Sequence, residues 1–351
     1  LEAISFHDCR GVKQFLQTGS NESKKVFPNY RSFRISEATK GIFVGFLMLT
    51  ATTALTSINI AIVTSLSLAW SVAAISSVAF LVLLLIKACD FYSESLPFPL
   101  KTLTNITQAI VSDIKAVIAM ALIFPIDYTR FDPKPDECDP NQTPILMIHG
   151  FLGSSNNFCY HHYHAKKLGI QNLFTINLGS PFHSLEHYAK VVEEKVLEIK
   201  AKTGRDDIIF YCHSMGGLVA LQYLEQYAEK NGMRVRDILS MGSPYAGTLL
   251  ANNPLAVADC ARQMRCQSFH VNRLQERSRI CPDTRFYHLA TFWDGIIQPV
   301  SSAVASGAPL ERRKEDWLSG TGHAGYLTCD TAVDYMLYYL KARLATYALE
   351  S

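Results

Sequence analysis

Apolar and polar positions divide the chain into stretches of different character. Residues 1–40 mix charge, serine and glycine without a period, which predicts a loosely ordered polar arm. Residues 41–86 then contain no Asp, Glu, Lys or Arg. A bilayer-spanning helix needs about 20 apolar residues, and this run is about twice that. Ser57, Asn59, Ser65 and Ser67 lie near its middle, so residues 41–88 are predicted to form a hairpin of two transmembrane helices. A signal peptide has an apolar core of only about 7–15 residues close to the N-terminus, which fits neither the length nor the position of this run. A buried pair of core helices is the soluble alternative, and the absence of any charge favours the bilayer.

Residues 89–136 read as a helical connector and linker. Residues 101–124 have a helical pattern whose apolar stretch 116–124 stops at Pro125, and residues 132–137 alternate Pro with charge. From Thr143 the pattern changes to short apolar runs alternating with helical periods. Runs at 144–148, 172–178, 207–212, 235–241 and 286–292 predict strands. Between them, Leu185, Tyr188, Val192, Val196 and Ile199 mark one face of a helix that stops at Gly204. A second helix is predicted over 217–228, and a last one starts at Asp330 or Thr331 with Val333, Met336, Leu340 and Leu344 inward. Strands alternating with helices predict an α/β domain over 137–351, with a doubly wound, mostly parallel sheet covered on both faces. Residues 250–281 are long for a connection in such a sheet, and a cap or lid is expected there.

Composition sharpens this picture in three places. A net charge of +2, with no basic stripe interleaved with aromatics, excludes a nucleic-acid partner. Arg10, Lys13, Lys24, Lys25, Arg31, Arg34 and Lys40 outnumber the acids near them, so the positive-inside rule keeps the N-terminus cytoplasmic. A hairpin then returns the chain to the same side. That predicts a membrane-associated protein with its α/β domain on the cytoplasmic face, whereas a single span would put the domain outside. The 9 cysteines form no CxxC pair and no Cys/His ligand set, so no zinc site is expected. A disulfide within the cluster Cys260, Cys266 and Cys281 and free buried thiols both stay open.

The chemistry concentrates where predicted strands end. At Ile209-Phe210-Tyr211-Cys212-His213-Ser214-Met215-Gly216-Gly217 a strand stops, a serine follows and a helix starts. A tight strand–serine–helix turn presents its hydroxyl for attack and requires small residues two places to either side, here Cys212 and Gly216. The alternative for this segment is a helix-capping serine without chemistry. Upstream, Met147-Ile148-His149-Gly150-Phe151-Leu152-Gly153 follows an early strand. Backbone N–H groups of Phe151 and Met215 are the candidates for holding an oxyanion.

These two segments, with Met241-Gly242-Ser243-Pro244-Tyr245-Ala246-Gly247-Thr248, resemble the α/β-hydrolase superfamily near the bacterial triacylglycerol lipases and esterases. The resemblance spans residues 143–345. It departs from the pattern at Cys212, where glycine is usual, and at Tyr245, where those lipases commonly have histidine. It implies the chain order serine, acid, histidine. Asp294, in Phe292-Trp293-Asp294-Gly295, is the acid so implied, against Asp283, Glu311, Glu315 and Asp316 in polar stretches. His323, flanked by Gly322 and Gly325, is the histidine, since no other of the 11 follows Asp294. The expected chemistry is an acyl-enzyme on Ser214, with His323 as base and Asp294 as its orienting acid. It requires no metal and no organic cofactor. The expected substrate is a lipid or another apolar ester. An acyltransferase using the same serine, and a hydrolase fold that binds lipid or a partner without turnover, are the alternatives.

Overall fold

Side-chain alternation along β1 (Ile145–Ile148) sets the layers. Leu146 and Ile148 face one side together with Ile208, Phe210 and Cys212 of β3 (Asp207–His213). Ile145 and Met147 face the other side with Ile209 and Tyr211. Every position of both strands is buried, which is why they read as unbroken apolar runs. This architecture comes from a computed structural model that describes residues 98–123, 126–253, 256–281 and 283–350. The predicted arm (1–40) and the predicted hairpin (41–88) lie outside the described residues.

The sheet has six parallel strands in the order β2-β1-β3-β4-β5-β6, with β2 at Leu173–Thr175, β4 at Arg234–Met241, β5 at Arg285–Thr291 and β6 at Arg313–Leu318. The chain moves outward from β1 to β2 and then returns past β1 to β3. The direction of winding therefore reverses between β1 and β3, and in open parallel sheets the carboxyl end of such a switch point is where ligands bind. Helices α3 (Leu185–Thr203) and α4 (Gly216–Gln226) cover one face; α2 (Cys159–Lys167) and α7 (Asp330–Glu350) cover the other. The Ser184 hydroxyl caps α3 by accepting from the His187 N–H, and Gly204 ends it.

Strand β2 is shorter than its apolar run predicts. Ile176 and Leu178 stay buried, but the Leu178 N–H leaves the ladder to bond the His149 ring. Strand β6 was not predicted. It is a partly exposed edge strand reading Arg-Lys-Glu-Asp-Trp-Leu, so the apolar alternation that marks a strand is missing.

Residues 132–137, read as a linker, are fastened to the domain. The Asp132 carboxylate accepts from the Thr175 N–H at 2.8 Å and pairs with Lys195 at 2.7 Å. The expected connector helix is α1 (Phe98–Ile123), and it too is tied to the domain: Asn156 Nδ2 donates to the Ile123 carbonyl at 2.9 Å. Within 250–281, α5 (Asp259–Gln263) is followed by α6 (Phe269–Ile280). Helix α6 packs along α4 on the flank of the sheet, where Arg273 donates to Gln222 Oε1 and Arg277 to the Leu224 carbonyl. Among the described residues Cys138, Cys159, Cys212, Cys260, Cys266, Cys281 and Cys329 are free thiols.

Candidate active site

Strand β3 ends at His213, and the next residue, Ser214, turns the chain into α4 with φ of 54°. A non-glycine residue with positive φ is strained, and such strain is maintained where surrounding structure fixes it. Here the Ser214 N–H donates to the Met241 carbonyl of β4 at 2.9 Å. Helix α4 then passes so close to β1 that a Cβ at Gly216 would lie 2.2 Å from the Ile148 carbonyl oxygen. Only glycine fits there. Cys212, on the other side of the serine, is fully buried in the core, so a small side chain other than glycine is accommodated.

The structure brings the three sequence-predicted side chains together. The Ser214 hydroxyl donates to His323 Nε2 at 2.9 Å, and His323 Nδ1–H donates to Asp294 Oδ2 at 2.8 Å. Asp294 follows β5, and its second oxygen accepts the N–H groups of Ile296 and Ile297 at 2.9 and 2.8 Å. His323 lies between β6 and α7. All three are buried, with Ser214 and His323 each retaining 8% exposure. Burial by itself pushes the His323 imidazole down. The charge and hydrogen bond of Asp294, together with the charge of Asp113, more than offset this and leave it above its ordinary value. Gly242 explains the third sequence motif: with φ of 56°, a Cβ there would lie 3.0 Å from Asp294 Oδ2.

The loop after β1 lies over the serine, since a Cβ at Gly150 would be 2.6 Å from that of Ser214. His149 shapes this loop. Its Nε2 accepts from the Leu178 N–H, so Nδ1 carries the proton and donates to the Gly150 carbonyl at 2.8 Å. Burial holds this imidazole neutral by lowering it to about 4. Phe151, the predicted second oxyanion donor, is 38% exposed on the same loop, and Met215 starts the turn into α4. Among the described residues, neither backbone N–H has an acceptor within the protein.

Two supporting residues were not expected from the sequence. His213 Nε2–H donates to the His323 carbonyl at 3.0 Å, with its ring beside the His323 ring. Asp113 of α1 accepts from the Gly325 N–H at 2.8 Å. Its place as the one acidic residue of α1 is the sequence signal that marked Asp113. His161, His162 and His288 are buried away from this relay, and Asp316 is bonded to the Tyr287 phenol. A buried serine–histidine–carboxylate relay at a switch point can carry out nucleophilic acyl transfer.

Residues 143–275 match the family model of the alpha/beta hydrolase fold. The domain has the α/β-hydrolase fold. Among solved structures, lipase B of Aspergillus fumigatus is similar at 15% identity and a TM-score of 0.50, over 60% of this chain and 55% of that one. The mature lipase BlEst2 of Bacillus licheniformis is similar at 19% identity and a TM-score of 0.46, over 60% of this chain and 96% of that one. A protein from Listeria innocua is similar at 15% identity and a TM-score of 0.47, over 57% of this chain and 94% of that one. No curated protein matches the chain.

Proposed function

We propose that this protein is a membrane-associated serine hydrolase that cleaves carboxylic esters, as a lipase or esterase, through an acyl-enzyme. The observation that carries the proposal is the relay Ser214–His323–Asp294 at 2.9 and 2.8 Å, centred on a serine held at positive φ. His323 takes the proton of Ser214 as the hydroxyl attacks the ester carbonyl. Asp294 fixes the tautomer and stabilises the imidazolium. The N–H groups of Phe151 and Met215 receive the oxyanion, where losing one donor costs about 100- to 1000-fold. His323 then protonates the leaving alcohol, and a water attacks the acyl-enzyme by the same route in reverse.

An apolar substrate is supported by the loops at the carboxyl ends of the strands. Phe151 and Leu152 after β1, Phe182 after β2, Leu249 and Leu250 after β4, and Ile296 after β5 all expose apolar surface there. Membrane association is supported by α1. Over Thr104–Ile123 its mean hydropathy is 1.7, yet only 17% of its most apolar window is buried. Its free face carries Ile114, Val117, Ile118 and Leu122. By length and composition α1 could cross a bilayer, but its bonds to Asn156 and to the His323 loop seat it on the domain. We read it as lying on the lipid surface that residues 41–86 enter, with the domain on the cytoplasmic side.

The test is hydrolysis of p-nitrophenyl esters of graded chain length by the full chain in detergent, beside Ser214→Ala. Turnover lost in the variant, with longer acyl chains preferred, supports a lipase. Equal turnover in both proteins sinks the proposal.

A further inference from the structure

The loop carrying His323 is held from both sides. From within the domain, His213 donates to the His323 carbonyl at 3.0 Å, and the Thr291 hydroxyl donates to the Thr321 carbonyl at 2.7 Å. From outside, α1 supplies two acceptors. Ser112 Oγ accepts from the Gly322 N–H at 2.9 Å, and Asp113 Oδ1 accepts from the Gly325 N–H at 2.8 Å. The approach is close enough that a Cβ at Gly322 would lie 2.3 Å from Asp113 Oδ2, and one at Gly325 would lie 2.3 Å from Ser112 Oγ. The glycines flanking His323 are therefore explained by the helix that packs on them.

A serine–histidine–acid relay needs one carboxylate, and Asp294 already fills that place. Asp113 is a second one. The titratable groups within its electrostatic reach across the contact are His323, Asp294 and the phenol of Tyr326. Burial pushes its carboxyl up to about 6; the Gly325 N–H and the charge of His323 pull it down, and the charge of Asp294 adds to the rise. Asp113 is half-buried, and the cost of desolvating it is offset in part by the Gly325 N–H and the charge of His323.

We infer that Asp113, with Ser112, is a positioning group of the hydrolase site: together they fix the His323 loop through the N–H groups of Gly322 and Gly325, and Asp113 places a second negative charge within electrostatic reach of the imidazolium. Ser112 and Asp113 of α1 thereby support the active site, and catalytic competence depends on how this face of the helix seats on the His323 loop. The inference rests on the serine-relay reading. Displacing a catalytic group by about 1 Å costs on the order of 100-fold in rate, so a loop held by a neighbouring helix is sensitive to that helix.

The experiment compares full-length wild type, Asp113→Ala, Asp113→Asn, Ser112→Ala and Ser214→Ala in detergent, on a soluble short-chain p-nitrophenyl ester. It reads kcat, KM, the pH profile of kcat/KM and thermal melting. Asp113→Ala is expected to lower kcat about 10- to 100-fold with KM little changed. Asparagine keeps an oxygen for the Gly325 N–H but removes the charge. Asp113→Asn is therefore expected to move the acid limb of kcat/KM to lower pH, because the imidazolium loses a favourable neighbour. Its melting temperature at pH 8 is expected to hold or rise. The sign follows from a folded-state carboxyl near 6 against an ordinary 3.8. The associated stability is present below the lower value and lost as pH rises through the upper one, so the ionised group burdens the fold at pH 8.

Wild-type kcat and an unshifted acid limb in both Asp113 variants, with Ser214→Ala inactive, would overturn the inference and leave the serine reading intact. A fall in kcat with an unshifted limb and a lowered melting temperature in both would make the contact merely structural, which also overturns it. Turnover surviving in Ser214→Ala would instead remove the serine reading and the inference with it. Should Asp113→Ala fail to fold, Asp113→Asn decides alone.

Discussion

Asp294 holds His323 with one oxygen, at 2.8 Å, while two backbone N–H groups, those of Ile296 and Ile297, hold its other oxygen. The carboxylate is thus oriented by the chain that follows it, independently of the histidine it serves. An Asp294→Asn variant keeps its size and can keep the backbone bonds, but it favours the wrong imidazole tautomer. We expect kcat to fall about 10,000-fold with KM near wild type. Steady-state kinetics check this, and a loss under tenfold would mean that another acid serves His323.

The pH dependence follows from the same pair. The base must be neutral to accept the Ser214 proton, and its ordinary value of 6.5 is raised by Asp294 and Asp113 against the opposing effect of burial. The acid limb of kcat/KM is expected to bend above pH 6.5. The linked stability runs the other way. The pairing of charged His323 stabilises the fold fully below its ordinary value and fades as pH rises through the raised one. A limb centred below the ordinary imidazole value would contradict this assignment.

Gly216 is the position where the elbow tolerates least. A Cβ there meets backbone, the Ile148 carbonyl oxygen at 2.2 Å and the His149 carbonyl oxygen at 3.0 Å, rather than a side chain that could swing away. Gly216→Ala is expected to destabilise the domain by about 3 kcal/mol, the upper end of overpacking costs. Urea unfolding measures it; a variant as stable as wild type would mean that α4 and β1 are further apart than described.

The exposed face of α1 gives a prediction about presentation of substrate. Ile118 and Leu122 are 55% and 76% exposed and make no part of the relay, so Ile118→Glu with Leu122→Glu should fold. Hydrolysis of a long-chain ester in phospholipid vesicles is expected to drop severalfold, while hydrolysis of p-nitrophenyl acetate stays unchanged. Unaltered vesicle activity would show that this face does not meet lipid.

Local regularity made much of the domain legible. Strands β1, β3, β4 and β5 are apolar runs because both their faces are covered, and α3 and α7 show a helical period because one face of each is buried. Ser214 was legible because a tight strand-to-helix turn needs small neighbours next to it in sequence. Asp294 and His323 could be named only through the resemblance and its chain order, since nothing local distinguishes Asp294 from a turn-forming aspartate.

What consecutive residues determined was therefore the α/β alternation, the tight turn that carries Ser214 and the apolar stretch before the domain. Tertiary structure decided the rest. Strand β6 is held by backbone pairing with β5, from Phe286 opposite Arg313 to Thr291 opposite Leu318, and that pairing is invisible in Arg-Lys-Glu-Asp-Trp-Leu. Asp113 meets Gly325 across 212 residues, and its carboxyl is perturbed by burial that only the folded chain creates. Periodicity is a property of neighbouring residues, whereas desolvation, backbone pairing and close approach depend on which distant segments the fold brings into contact.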